Sequence, residues 1–257
     1  MPRLSWDETD SRYFSTGVDR GVLYLVDEMG VPWNGLVSVN ETPSGADPIS
    51  TFYDGSKFFS SRAPESFEGT IESYTYPREF GDFFGDSDFL TAQSHKTFGF
   101  SYRTMVANGS DGHDKRYLIH IVYNAQVSPL NRTNGTITAS PTANLFQWAF
   151  ATIPMSIGNR IGSHLIIDTG VAAPSALAEL EDILYGSDDS VPRLPSPQDV
   201  IDMFENAAIL KIIDHGDGTW TAEGPDEAIK MLSSTMFEIS WPSAVYIDSV
   251  TYEISSL

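Results

Sequence analysis

Phe67-Glu68-Gly69-Thr70-Ile71-Glu72-Ser73-Tyr74-Thr75-Tyr76-Pro77 is the stretch whose alternation decides the fold class. A period of two puts Ile71, Ser73 and Thr75 on one face and Glu72, Tyr74 and Tyr76 on the other, the pattern of a half-buried strand. The outer face carries acid and aromatics together, so it is expected to meet something other than bulk water. Upstream, Val31-Pro32-Trp33-Asn34-Gly35-Leu36 leads into a second strand over 36–40, with Val37 and Val39 on one side. Asp54-Gly55, flanked by Phe52-Tyr53 and Phe58-Phe59, is the strongest short-range hairpin signal a sequence offers. Downstream, Pro77-Arg78-Glu79-Phe80 reads as a short helical turn with proline at its first position. Phe83, Phe84 and Phe89 then crowd a Gly/Asp-rich segment, as a satellite of the core or as an anchor between subunits.

The same period runs outward in both directions. Residues 20–27 form a first strand with Val22, Tyr24 and Val26 on one face and Leu23 and Leu25 on the other; both faces are apolar, so both should be covered. Residues 97–107 and 116–126 form a long hairpin, Phe98, Phe100 and Tyr102 alternating with Gly99, Ser101 and Arg103. A polar connection over 127–143, centred on Asn134-Gly135, precedes an aromatic strand over 145–153 and a short one over 165–167. The spacing of Leu177, Leu180, Ile183 and Leu184 then predicts a helix over 174–185, stopped by Gly186. Ser196, Pro197 and Asp199 open a second helix through Phe204, after an acidic, proline-bearing linker over 187–195. Strands over 208–214 and 219–222 follow, and Gly224-Pro225-Asp226-Glu227 opens a third short helix ending near Leu232. Two last strands carry Phe237, Ile239 and Trp241, then Tyr246, Val250, Tyr252 and Ile254.

These elements predict a mainly β, α+β chain: one domain over 1–257, an antiparallel β-sandwich or barrel with a few short helices. Residues 1–20 are polar and read as an N-terminal arm. Residues 21–170 and 207–257 are expected to build the β core, with a helical segment over 171–206.

Composition narrows the function. The 257 residues hold no cysteine, which removes disulfides, thiolate metal sites and thiol catalysis together. No run approaches the roughly 20 apolar residues of a membrane span, and residues 1–10 hold no apolar signal core; a soluble protein made in a cytoplasm is expected, with no membrane partner. The Asn-x-Ser/Thr triplets at Asn108, Asn131 and Asn134 are then loop chemistry only. Net charge is −20, spread as −9 over residues 1–100, +2 over 101–170 and −13 over 171–257. Such acidity favours solubility, and it also makes a surface that does not hold nucleic acid, because affinity for DNA comes largely from basic groups releasing counterions.

No catalytic constellation emerges. The histidines at 95, 113, 120, 164 and 215 do not pair at zinc-ligand spacing, and His120 reads as a hydrogen-bonded core histidine. There is no Gly-x-Ser-x-Gly elbow and no glycine-rich phosphate loop. The loop Asn108-Gly109-Ser110-Asp111-Gly112 superficially resembles a calcium loop, but Ile119 stands where the last glutamate ligand belongs. Glu68 and Glu72, considered as a glycosidase pair, lie about 13 Å apart at strand rise, beyond either known geometry. No cofactor, metal or enzymatic activity is expected.

The ordered blocks also carry a resemblance. Pro-Trp-Asn-Gly-Leu at 32–36 with Phe-Glu-Gly-Thr-Ile-Glu-Ser-Tyr-Thr-Tyr-Pro at 67–77 resembles the N-terminal half of major tail tube proteins of long-tailed (siphovirus) bacteriophages of actinobacterial hosts. Leu177-Ala178-Glu179-Leu180-Glu181-Asp182-Ile183-Leu184-Tyr185-Gly186, Asp217-Gly218-Thr219-Trp220-Thr221-Ala222 and Ile239-Ser240-Trp241-Pro242-Ser243-Ala244-Val245-Tyr246-Ile247-Asp248 follow in that family's order. Arg78 departs from it, since relatives carry an acidic residue after the Tyr-Pro pair. The resemblance implies a virion protein, assembled in the host cytoplasm, whose hexameric rings stack into the tail tube that conducts the genome. It implies self-association, contacts with tape measure, tail terminator and distal tail proteins, and passage of double-stranded DNA without lasting binding. On that reading Trp33, Tyr74, Tyr76, Phe80, Asn134 and Gly135 are candidate contacts between subunits, and Glu68 and Glu72 candidate carboxylates facing the bore. Two alternatives stand beside it: a carbohydrate-binding β-sandwich using Trp33, Tyr74 and Tyr76 as sugar platforms, and a distal tail or baseplate ring protein that does not stack.

Overall fold

Long alternating segments pair into one curled sheet in the computed structural model, which describes residues 12–25, 29–45, 48–54, 56–62, 66–86, 95–108, 114–129, 135–136, 143–207 and strand segments within 210–247. The sheet is built from β1 (Tyr13–Tyr24), β2 (Gly30–Pro32), β3 (Leu36–Glu41), β6 (Glu68–Ser73), β7 (Phe98–Asn108), β8 (Asp114–Val127), β9 (Phe146–Thr152) and β12 (His164–Asp168). Its order is β2-β1-β7-β8-β9-β6-β3, every pairing is antiparallel, and β12 lies against β8 at 118–122 while β9 takes 125–127. Three small pairs stand apart from it: the hairpin β4 (Pro48–Tyr53) with β5 (Ser56–Arg62), β10 (Met155–Ile157) with β11 (Arg160–Gly162), and β15 (Ile229–Ser233) with β16 (Met236–Ile239). A three-stranded sheet, β14-β13-β17, combines β13 (Leu210–Asp214), β14 (Trp220–Glu223) and β17 (Val245–Ile247); β13 and β17 run parallel. The fold is thus mainly antiparallel β, with helices α1 (Pro174–Tyr185) and α2 (Pro197–Ala207) and a 3-10 turn at Arg78–Phe83.

The two ends of the large sheet are drawn together. The backbone N–H of Trp33, in the connection from β2 to β3, donates to the Gly21 carbonyl of β1 at 2.7 Å. That connection needs Gly35, whose φ of +79° is a conformation side-chain-bearing residues avoid. Inside the curl lies an aromatic core of Leu23, Trp33, Phe67, Ile71, Phe80, Phe83, Phe84, Phe98, Phe100, Tyr102, Trp148 and Phe150. Gly69 lets β3 and β6 close over it: a Cβ there would stand 2.3 Å from the Asn40 carbonyl oxygen and 2.9 Å from the Phe150 ring.

A second core lies on the other face of β1, β8 and β12. Leu180, Leu184 and Val200 of the helices pack on Val22, Tyr24, Ile119, Ile121 and Tyr123. The Tyr24 hydroxyl donates to the Leu184 carbonyl at 2.8 Å and sits 3.1 Å from Ser101 Oγ, so the last turn of α1 is tied to the sheet. On β7, Arg103 is held by both oxygens of Asp19 (2.9 and 2.7 Å), with its guanidinium 4.3 Å from the Tyr117 ring centre. Between the helices the chain turns at Ser187–Ser190, closed by reciprocal backbone bonds, and Pro192 accepts the Gly30 N–H at 2.8 Å.

Several expectations change. The arm over 1–20 is strand from Tyr13 onward, because residues 13–19 pair with β7. Val37 and Val39 do not share a face: a register shift between Leu36 and Ser38 leaves Val37 exposed, while Val39 pairs with buried Ile71. The alternation of 67–77 holds to Ser73, where the strand ends; Thr75 is exposed and Tyr76 turns inward instead. The third helix is overturned, since Ile229–Ser233 pairs with Met236–Ile239 as a short hairpin. The 210–247 strands join no ladder of the large sheet among the described residues. Phe89, Trp241 and the strand expected at 250–254 lie outside the described residues.

Candidate assembly surface

The strands β3, β6 and β9 present one face to the core, and no helix among the described residues covers the other. In register across them lie Ser38, Glu72 and Gln147, then Asn40, Thr70 and Ala149, then Glu68 and Ala151. The side chains are small, amidic or acidic, and none of the three strands contains a lysine or arginine. The carboxylates are held by neutral donors: Ser38 Oγ donates to Glu72 Oε2 at 2.7 Å, Gln147 Nε2 to Glu72 Oε1 at 3.2 Å, and Ser44 Oγ to Glu68 Oε1. In these contacts Glu68 and Glu72 meet neutral donors. Both are half-buried on the outward side of β6, as the alternation predicts.

The aromatic candidates separate. Trp33 and Phe80 are core residues with rings 4.5 Å apart, and the Trp33 indole N–H donates to Ser73 Oγ and the Thr75 carbonyl, both at 3.2 Å. Burial withdraws both side chains from any contact between subunits, and Trp33 from any sugar platform. The physical reason is the 3-10 turn after Pro77, which folds Phe80, Phe83 and Phe84 back under the sheet. Tyr76 is half-buried against Phe146 (5.2 Å) and Trp148 (5.3 Å). Tyr74 alone of the four stays exposed. Gly135 is exposed with nothing near it, whereas Asn134 lies outside the described residues.

A surface that the candidate residues do not include is the β4–β5 hairpin. Tyr53 (75% exposed), Phe58 (78%) and Phe59 (58%) are exposed aromatics on a two-stranded sheet that joins no other strand among the described residues. The turn is the one Asp54-Gly55 announces, with Asp54 at φ +49°. The signal was present in the sequence: a hairpin flanked on both sides by paired aromatics cannot bury all of them on itself. Tyr53 and Phe58 lie 6.2 Å apart between ring centres, and exposed apolar patches mark interaction sites.

At one end of the curled sheet sits a buried polar group. His120 on β8 stacks on Tyr102 (4.5 Å between ring centres) and faces His164 of β12, which stacks on Phe67 at 3.9 Å. The Tyr102 hydroxyl donates to Glu41 Oε1 at 2.7 Å, and Thr104 Oγ1 lies 2.9 Å from His120 Nε2. Burial lowers the pKa of His120 against the opposing pull of Glu41, and burial together with His120 lowers that of His164 to about 3. His120 is thus hydrogen-bonded in the interior, as its place in an apolar strand suggests. Its partner His164 and the distant Glu41 are not legible from spacing.

No helix among the described residues is long and apolar enough to cross a membrane. No known family's sequence model and no curated protein matches the chain. Among solved structures, an extracellular contractile injection system (PVC sheath-tube complex, extended state) aligns at 14% identity and a TM-score of 0.35, over 58% of this chain and 89% of that one. The anti-feeding prophage cap (AFP tube terminating cap) gives 14% and 0.33 over 58% and 87%. The PVC sheath/tube terminator gives 14% and 0.32 over 58% and 93%. At such identities and scores the likeness does not itself assign a family or a role.

Proposed function

We propose that this chain is a structural, non-enzymatic subunit that polymerises as stacked hexameric rings into the tail tube of a long-tailed phage, with the bare β3–β6–β9 face toward the bore. The observation that carries this reading is the cation-free face itself. One half of the sheet is covered by helices, while among the described residues the other carries small polar groups and the carboxylates of Glu68 and Glu72, each held by neutral donors. Duplex DNA adheres through basic groups that displace its counterions. A wall lacking them lets the polymer slide, which is what a conduit for genome ejection requires.

Assembly has its own physical support. Among the described residues the ladder ends at β2 and β3, and β12 takes a partner in β8 alone, strand edges of the kind a neighbouring copy can complete. The aromatic β4–β5 tip and Tyr74 offer apolar reach to that copy. Heterologous contacts that close by rotation make rings, and those that stay open make the stack. Tape measure, terminator and distal tail partners, and a location in the virion after assembly in the host cytoplasm, follow from the resemblance of the 32–77 and 177–248 blocks. The carbohydrate-binding alternative loses Trp33 to the core and most of Tyr76, which leaves Tyr74 as its remaining platform.

Electron microscopy of the purified protein at high concentration tests the proposal. Hollow tubes of stacked rings are expected. Single rings that refuse to stack would favour the distal tail alternative, and a protein that stays monomeric at every concentration would overturn the reading.

A further inference from the structure

Three lone-pair-bearing atoms from strands far apart in sequence converge at the polar end of the sheet. His120 Nδ1 lies 3.3 Å from Glu41 Oε1 and 3.1 Å from His164 Nε2, and ligand atoms of all three residues fall within 4.8 Å of one another. We infer that Glu41, His120 and His164 form a binding site for one divalent transition-metal ion of the zinc class. The inference rests on these side chains alone and holds whether or not the chain builds a tube.

The two spacings to His120 approach those of a tetrahedral shell: with metal–nitrogen and metal–oxygen bonds of about 2.0–2.2 Å, neighbouring ligand atoms stand roughly 3.3–3.5 Å apart. The third side, between Glu41 and His164, lies within 4.8 Å and closes by side-chain rotation when the ion binds. The outer contacts are of the kind that orient ligands. Thr104 Oγ1 sits on His120 Nε2 and can take that nitrogen's proton in a hydrogen bond, which leaves the Nδ1 lone pair aimed at Glu41 and His164. The Tyr102 hydroxyl holds Glu41 Oε1, and Tyr102 and Phe67 clamp the two imidazole rings by stacking. Two imidazoles and one carboxylate suit zinc and its neighbours rather than calcium or magnesium, which take oxygen ligands. Access comes from the Glu41 side, whose side chain is 33% exposed, and that opening leaves room for water as a fourth ligand.

The ion would also tie directly two parts of the sheet that are linked by ladder only through β6 and β9 among the described residues. Glu41 ends β3, while His120 and His164 belong to the β8–β12 pair. Metal bound to the folded protein and not to the unfolded chain raises stability by mass action.

Tag-free protein, stripped with a chelator and then freed of it, tests the site by calorimetric titration with zinc sulfate and by visible absorption with cobalt(II). One ion per chain is expected, with a micromolar or tighter Kd, a raised Tm and the intense cobalt bands of a tetrahedral site. Glu41→Gln and His164→Gln should each weaken zinc binding at least about 100-fold, and Thr104→Val about 10-fold. His95→Gln, whose imidazole bonds the Val127 carbonyl elsewhere, should change nothing. Should the variants fail to fold, X-ray absorption on the zinc-loaded wild type reads the shell directly, and two imidazoles plus oxygen are expected. Absence of stoichiometric binding by the wild type, a shell without two imidazoles, or affinity unchanged in both ligand variants overturns the inference.

Discussion

The two halves of the large sheet obey the same period of two and end in opposite surfaces. On β8, Ile119, Ile121 and Tyr123 point to the helices while Val122 points into the curl, so the strand is apolar on both faces. On β6 and β9, Ile71, Trp148 and Phe150 point inward, but Glu68, Thr70, Glu72, Gln147, Ala149 and Ala151 point out. A sheet covered on both sides needs two apolar faces; one that meets solvent needs one. The difference teaches that the bare half is polar by composition and is not waiting for a helix. Its outward residues are also small, amidic or acidic.

The comparison can be broken first at the covered half. Leu180→Ala, fully buried between α1 and the sheet, is expected to cost about 2–5 kcal/mol in urea unfolding; a loss under 1 kcal/mol would mean the helices do not seal that face. Gly69→Ala should cost about 1–3 kcal/mol on the bare half, because β3 must move away from the new methyl group. Arg103→Ala follows at about 1–2 kcal/mol, since Asp19 keeps contact with water after losing its partner. The outward carboxylates sharpen the contrast further: Glu68→Lys with Glu72→Lys should change folding stability by under about 1 kcal/mol yet slow DNA ejection from phage carrying them. Unchanged ejection would remove this face from the bore. Smallest on the fold is Tyr53→Ser with Phe58→Ser, expected within about 0.5 kcal/mol in the monomer but raising the concentration at which tubes form.

What the sequence made legible is local. The α1 spacing and its Gly186 stop place the helix at its observed bounds, and the 97–126 hairpin and the β6 alternation appear where their periods put them. Residues 13–19 hold Gly17 and no apolar alternation, and they are strand because β7 offers them a ladder. Tertiary pairing likewise decides residues 229–233, five residues with no room for a stable helix. Trp33 and Phe80 misled for a related reason: aromatics beside turns look exposed along the chain, and only the return of the 3-10 turn beneath Trp148 shows them buried. The Glu41, His120 and His164 group is invisible to any spacing rule, because three strands brought together by curling supply one ligand each.

The short turn at Ser187–Ser190 has a practical corollary. Its two central residues, Asp188 and Asp189, are solvent-facing and the loop is closed on itself by backbone bonds, while Pro192 and Arg193 fasten the chain again on its far side. It belongs to the helical layer over β1, β8 and β12, so a peptide grafted there would stand on that layer's solvent side, tethered at both ends without entering either core.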